Sequence, residues 1–253
     1  MNPYLKNLNK IEFVLTYACT GKCKHCSQGE HKAHAEFIDH VCSAEVVKKV
    51  CSQYSIGTVM TFGGEPLLHL GAVREIMIAA KEMNVPKRQL ITNGYFTTDR
   101  EKMREVAEML HAVGVNNLLL SVDAFHQDTI PLSVVRTFAM ELKRCGVPTM
   151  LQPAWLVSIE DENPYNLKTR EILDSLSDIG FSVSDGNVVF PEGNAKKYLA
   201  EYFTDSAPDN PYIDDPCDVK CLSIEPGGDL LGENIYKTDV MEIIEKYEPQ
   251  TTN

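Results

Sequence analysis

Apolar, strand-like runs alternate with amphipathic helical stretches along the first 190 residues of this 253-residue chain. That alternation is the mark of repeated β–α units around a parallel sheet. Strands are expected at 11–17, 57–62, 88–92, 117–122, 147–157 (interrupted by Pro153) and 181–190. Between them, a helix is expected after Ser43, with Val46, Val47, Val50, Cys51 and Tyr54 on one face, and others at 70–83, 99–113, 132–144 and 167–179. Asp99 caps the third helix and Gly114 ends it, while Gly146 ends the fourth.

Six such units are too few for a closed eight-stranded barrel. The expected fold is α/β, a partial (β/α)6 TIM-type barrel open on one side and covering residues 1–190. From Pro191 the pattern changes, and Pro and Asp cluster in SAPDNPYIDDPCD. Residues 191–253 are therefore expected to form a short, loop-rich C-terminal appendage. It closes with a helix at 239–247, where Asp239 and Glu242 have the spacing of a capping pair.

Charge sharpens this division. Of a formal net charge of −12, residues 201–253 carry −10, from 13 acidic and 3 basic side chains. An acidic chain is a poor match for phosphate backbones, so nucleic acid is not an expected partner. The acidic tail is expected to be a solvated face, the alternative being a surface for a basic partner. No apolar run is long enough to span a bilayer, and the N-terminus lacks a secretory profile. The expected compartment is the cytoplasm, where eight cysteines suggest metal binding rather than disulfides.

The chemistry concentrates just after strand-like runs, where parallel β–α folds place their active sites. Cys19, Cys23 and Cys26 follow the first run, Gly63, Gly64, Glu65 and Pro66 the second, and Thr92, Asn93 and Gly94 the third. Ser121 and Asp123 close the fourth, on one face of the strand, and Pro191, Glu192 and Gly193 follow the sixth. Three thiolates this close can hold one face of a cubane iron–sulfur cluster and leave one iron for another ligand. Two other readings stay open: a cluster that only carries electrons, and a zinc knuckle completed by His25 or His31. His31, His34 and His40 otherwise read as solvated loop residues, and Cys51 as a core thiol.

The C-x3-C-x2-C spacing, with Gly-Gly-Glu-Pro after the next strand, resembles the radical SAM enzyme family across residues 10–190. The resemblance implies that Cys19, Cys23 and Cys26 hold a [4Fe–4S] cluster whose fourth iron is chelated by S-adenosylmethionine (SAM). It implies that Gly63, Gly64 and Glu65, with neighbouring carbonyls, receive the SAM ammonium, three donors meeting acceptors. Ser121 and Asp123 resemble the pair that contacts the SAM ribose or carboxylate. Arg136 resembles a helix arginine that pairs the methionine carboxylate, a surface arginine being the alternative. Asn93 is either a turn former or a ligand contact. Tyr17 is either a neighbour of the cluster or a core aromatic, and Gln152 a weaker candidate for the interior.

The implied activity is reductive SAM cleavage to a 5′-deoxyadenosyl radical that takes hydrogen from a substrate, with flavodoxin or ferredoxin as reductant. The resemblance is nearest to the branch that modifies peptides, with a small-molecule metabolite as the alternative. About ten residues precede the first strand, so no N-terminal peptide-binding domain is expected, and a peptide would enter by the open barrel side or with a separate recognition protein. Cys217 and Cys221, followed by LSIEPGGDL, resemble the opening of SPASM or twitch C-terminal domains. No further cysteine follows, so an auxiliary cluster at Cys217 and Cys221 would need other ligands or a second chain.

Overall fold

The computed structural model describes residues 2–30, 36–203 and 208–249. His31 and His34 lie outside the described residues. Seven strands form one sheet in which every paired neighbour is parallel: β1 (Lys10–Val14), β2 (Thr58–Phe62), β3 (Lys87–Thr92), β4 (Asn117–Ser121), β5 (Thr149–Gln152), β7 (Ser182–Val183) and β9 (Cys221–Ile224). Their order is β7-β5-β4-β3-β2-β1-β9. A separate short pair joins β6 (Ala154–Trp155) to β8 (Asn187–Val188). The sheet has two ends rather than a closed ring, as a partial TIM-type barrel requires.

The helices follow the strands as the apolar spacing dictates. They are α1 (His40–Cys51), α2 (Leu70–Glu82), α3 (Arg100–Val113), α4 (Ala124–Gln127), α5 (Leu132–Cys145), α6 (Pro164–Ser175), α7 (Gly193–Tyr198) and α8 (Val240–Lys246). Asp99 caps α3 by accepting from the Glu101 N–H. Gly114 and Gly146 end α3 and α5 in the left-handed conformation, where a side chain would be strained. α1 starts earlier than expected, because the Asp39 carboxylate, not Ser43, caps it. The core lies between the sheet's outer face and the helices, with Ile11, Phe13, Val47, Ile76, Met77, Leu110 and Phe138 each fully or almost fully buried. Burial on this scale stabilises by roughly 1.5–3 kcal/mol per large side chain.

One expectation changes. The last strand-like stretch, 181–190, is two short strands, because Gly186 turns the chain at φ +77° between them. The C-terminal stretch also adds a strand to the sheet. Its β9 pairs in parallel with β1, from Lys10 opposite Cys221 to Phe13 opposite Ile224. Val219, Leu222, Ile224, Ile243 and Ile244 join the same core as the helices. Residue 191 is thus not an edge of the sheet.

Candidate active site

The C-terminal ends of β1 to β5 open on a cavity of about 490 Å³, within the range of small-molecule sites. Cys19, Cys23, Cys26, Gly63, Gly64, Asn93, Ser121, Asp123 and Gln152 all line it.

The cysteine loop leaves β1 and is held from three sides. The Lys22 N–H donates to the Thr129 hydroxyl at 3.0 Å. The Asn194 side-chain amide donates to the Cys23 carbonyl at 3.1 Å, and its backbone N–H to the Cys26 carbonyl at 2.8 Å. At Gly193, φ is +51° and an added Cβ would sit 2.3 Å from the Ser27 carbonyl oxygen, so only glycine lets α7 approach the loop. Cys19 Sγ accepts from the Gly21 N–H at 3.3 Å and from the Asn93 amide at 3.4 Å. Such donors favour sulfur bearing negative charge. Burial nonetheless pushes the Cys19 thiol up to about 12 and raises Cys23 and Cys26 too. Metal binding therefore has to displace these protons. His25 Nδ1 and Gln28 Oε1 are buried without a partner among the described residues, and both residues line the cavity. Native interiors rarely leave such atoms orphaned, so this loop is shaped around a group of its own, and a three-thiol cluster fits it.

Glu65 does not line the cavity. Its side chain is fully buried, and its carboxylate accepts from the Leu67 N–H (2.9 Å), the Thr92 hydroxyl (2.7 Å) and the Asn93 N–H (2.9 Å). It ties the ends of β2 and β3 together, which leaves Gly63 and Gly64 as the lining part of this motif. Burial pushes its carboxyl up to about 7. A raised folded value means that the stabilisation is full below the unfolded value of about 4.3 and is lost as pH rises through about 7. Glu65→Gln turns an amide donor toward a donor, stranding a buried N–H at a cost of about 1–3 kcal/mol. The variant is expected to melt lower than wild type, and the gap to narrow between about pH 5 and pH 8 as the wild-type carboxyl ionises. Thermal melts at both pH values check this.

Asp123 is fully buried and heads α4. Its Oδ1 accepts from the Phe125 and His126 N–H groups, both at 2.9 Å. Its Oδ2 sits 2.7 Å from His126 Nδ1 and accepts from the Ala154 N–H at 3.2 Å. Burial opposes its charge, but the neighbouring His126 and His25 and these donors hold it at about 2. Asp123 thus orients His126, a lining residue the sequence reading missed because α4 is too short to show a period. The His126 ring lies 4.8 Å from the His25 ring, which burial keeps neutral by lowering it to about 4. Cys23, His25 and His126 bring ligand atoms within 4.8 Å of one another.

Asn93 does both things considered for it, reaching the cysteine loop while accepting from the Tyr95 N–H at 2.8 Å in its own turn. Gln152 faces the cavity and accepts from the Ser184 hydroxyl at 2.5 Å.

Arg136 is not at the mouth. Its guanidinium is on the outer surface, donating to the Ser175 carbonyl at 3.0 Å and to the Asp178 carboxylate at 2.9 Å. The anion that claims it comes from residue 178, beyond the reach of a motif. Arg136→Ala is expected to leave deoxyadenosine formation at the wild-type rate, measured under reducing, anaerobic conditions. Tyr17 turns away to bond Glu225, and His40 packs against His69. Cys217 is exposed, while Cys221 lies beside Glu12. Among the described residues, no group of three metal-ligating side chains includes either of them.

The model of the Radical SAM superfamily matches residues 13–200. A GTP 3′,8-cyclase of Clostridium perfringens (strain 13 / Type A) is 28% identical over 132 residues, 50% of this chain and 38% of that protein. A probable GTP 3′,8-cyclase of Methanocella arvoryzae is 26% identical over 130 residues, 51% and 38% of the two. The matched stretch thus spans well under half of these relatives. Among solved structures, SuiB of Streptococcus suis bound to S-adenosylmethionine superposes with a TM-score of 0.60 at 12% identity, over 97% of this chain and 67% of that one. BtrN in complex with AdoMet and 2-DOIA gives 0.56 at 14%, over 97% and 85%. At these identities the likeness is one of fold.

Proposed function

The chain belongs to the radical SAM superfamily, and on that premise we propose that it abstracts hydrogen from a small molecule held inside the partial barrel. It is an iron–sulfur enzyme dependent on SAM. When bound, the [4Fe–4S] cluster supplies the electron that splits the SAM sulfonium into methionine and a 5′-deoxyadenosyl radical able to take a substrate hydrogen. Everything else falls to the chain. Cys19, Cys23 and Cys26 would hold the cluster. The backbone at Gly63 and Gly64 receives the SAM ammonium. Asn93 and Ser121 offer polar contacts beside it, and Asp123 acts through His126. Phe62, Ile91 and Leu119 form an apolar collar below the mouth that would help keep water from the reacting atoms. A reductant delivers the electron, for which flavodoxin or ferredoxin is proposed, in a cytoplasm that keeps the thiols reduced. No helix among the described residues is long and apolar enough to cross a membrane.

The observation carrying this reading is the set of three thiols at one end of a walled cavity. The wall also bears on the substrate. The Asn210 amide donates to Glu192 at 3.1 Å, the Tyr212 hydroxyl to Asn187 at 2.8 Å, and the Asp214 carboxylate accepts from the Lys220 and Cys221 N–H groups at 2.8 and 2.7 Å. Residues 210–214 thus tie back to Asn187 and Glu192 after β8 and to the start of β9. SuiB has been seen bound to a precursor peptide, but here a cavity of about 490 Å³, within the range of small-molecule sites, supports a small substrate. A nucleoside triphosphate, which the cyclases' name implies for them, is a poor match: Lys10 is the single lysine or arginine among the described lining residues, against Glu12 and Asp123.

The test is anaerobic reconstitution with iron and sulfide, reduction by dithionite, and chromatography for deoxyadenosine and methionine. Both are expected, dependent on SAM and reductant. Their absence from cluster-loaded protein refutes the proposal.

A further inference from the structure

The end of the cavity away from the cysteines holds none of the residues proposed to receive SAM, yet it carries charge. Lys10 and Glu12 are alternate residues of β1 and both line the cavity. Their side chains are 30% and 15% exposed, and they pair at 2.5 Å. The intervening Ile11 and the next residue, Phe13, point into the core and are fully buried. In the sheet register Glu12 stands opposite Met60, and Met60 opposite Gln89. The Gln89 side-chain amide donates to Asn117 Oδ1 at 2.6 Å, which leaves the Gln89 side-chain oxygen as an acceptor. Tyr212 lies close enough to Lys10 and Glu12 to feel both charges. The cavity therefore has a floor of Lys10, Glu12 and Gln89 beside Met60, an apolar collar of Phe62, Ile91 and Leu119 further along the strands, and the polar mouth.

Fold stability does not explain the floor. An ion pair withdrawn from water contributes little, and apolar residues of similar size often serve as well or better. β2 and β4 place Met60 and Leu119 on the same wall without difficulty. Nor is the pair saturated. An ammonium has three donors and a carboxylate about four acceptor sites, and one contact joins the two. Cys221 takes one further site on Glu12, and the remaining capacity of both signs sits side by side at the bottom of the cavity.

We infer that the floor is the recognition site for a zwitterionic substrate, a free amino acid or close analogue, whose ammonium meets Glu12 and whose carboxylate meets Lys10. This rests on the proposed radical chemistry at the mouth and names the substrate class for it. β1 rises about 13 Å from Lys10 to Val14, so a head group on the floor sends an apolar stem of several atoms through the collar toward the mouth. A phosphorylated ligand would bring more negative charge than one lysine can balance.

The test is calorimetric titration of cluster-loaded full chain with SAM present to fill the mouth. The probes are L-norleucine, hexanoate, which lacks the amine, and pentylamine, which lacks the carboxylate. The amino acid is expected to bind roughly tenfold or more tighter than either analogue, the size of one charge-assisted hydrogen bond. Glu12→Gln should reduce norleucine to the level of hexanoate, and Lys10→Met to that of pentylamine. Equal binding of the three probes to wild type, no binding of norleucine, or unchanged norleucine binding in folded variants would overturn the inference. The wild-type comparison stands even if a variant fails to fold. Deoxyadenosine is measured in the same samples after reduction. Formed without selective binding, it leaves the radical reading intact and sinks the floor assignment. Selective binding without it does the reverse.

Discussion

Replacing any one of Cys19, Cys23 or Cys26 with alanine is expected to abolish cluster incorporation, and with it SAM cleavage. Two thiolates cannot hold a cubane face that leaves one iron open, and no other cysteine is placed to substitute. Cys42 shares its thiol with the Ile235 carbonyl behind α1, Cys51 packs against the core, and Cys221 sits at the barrel floor beside Glu12. Iron and acid-labile sulfide are expected to fall to background after anaerobic reconstitution. Deoxyadenosine formation should fall by more than about a hundredfold, beyond what loss of a second-layer ligand contact costs. Cys51→Ala is the matched control and should keep both. The outcome also separates the readings first left open. A zinc knuckle of the three cysteines with His25 or His31 would yield zinc without sulfide in wild type, and a zinc site at Cys23, His25 and His126, which the structure brings together, would also survive Cys19→Ala and Cys26→Ala. An electron-transfer cluster would vanish in all three variants but produce no deoxyadenosine in wild type.

The sequence was most legible where structure is local. The caps Asp99, Gly114 and Gly146 act within one turn of the helices they bound, and the break at Pro153 between β5 and β6 follows from the missing N–H of proline. The cysteine loop and the two glycines were readable because spacing after a strand says which end of the sheet they occupy. What could not be read depends on partners far along the chain. β9 joins β1 across some two hundred residues, and its four residues give no period to mark them as a sheet edge. Glu65 reads as a ligand from its neighbours, but Thr92 and the Asn93 N–H draw its carboxylate inward. Arg136 reads as a ligand from its helix, but Asp178 draws it outward. In each case a charged side chain went to the partner that tertiary structure supplied, and motif spacing does not encode that partner.

The other large effect is expected at Gly64, through the backbone rather than through any contact with SAM. The chain after β2 lies directly on the segment that leads into the cysteine loop. The Gly64 N–H donates to the Thr16 carbonyl at 2.7 Å, and the Glu65 N–H to the Ala18 carbonyl at 2.8 Å. A Cβ on Gly64 would sit 2.1 Å from the Ala18 oxygen and 2.7 Å from its carbonyl carbon. Both atoms are backbone, so no side chain can rotate away. Gly64→Ala must part the two segments, breaking both hydrogen bonds and shifting Cys19, the next residue after Ala18. Gly71, near the start of α2, has nothing within 4 Å of an added Cβ, and Gly71→Ala should gain up to about 1 kcal/mol from helix propensity. The pair makes a clean comparison, since the same methyl is added a few residues apart. Gly64→Ala is expected to lose cluster incorporation and SAM cleavage together, whereas Gly71→Ala keeps both and melts at or above the wild-type temperature. A Gly64→Ala protein that took up iron and sulfide normally and lost only SAM affinity would mean that the glycine serves ligand access alone. The account in which close backbone contact at this point sets the position of the first cysteine would then have to be given up.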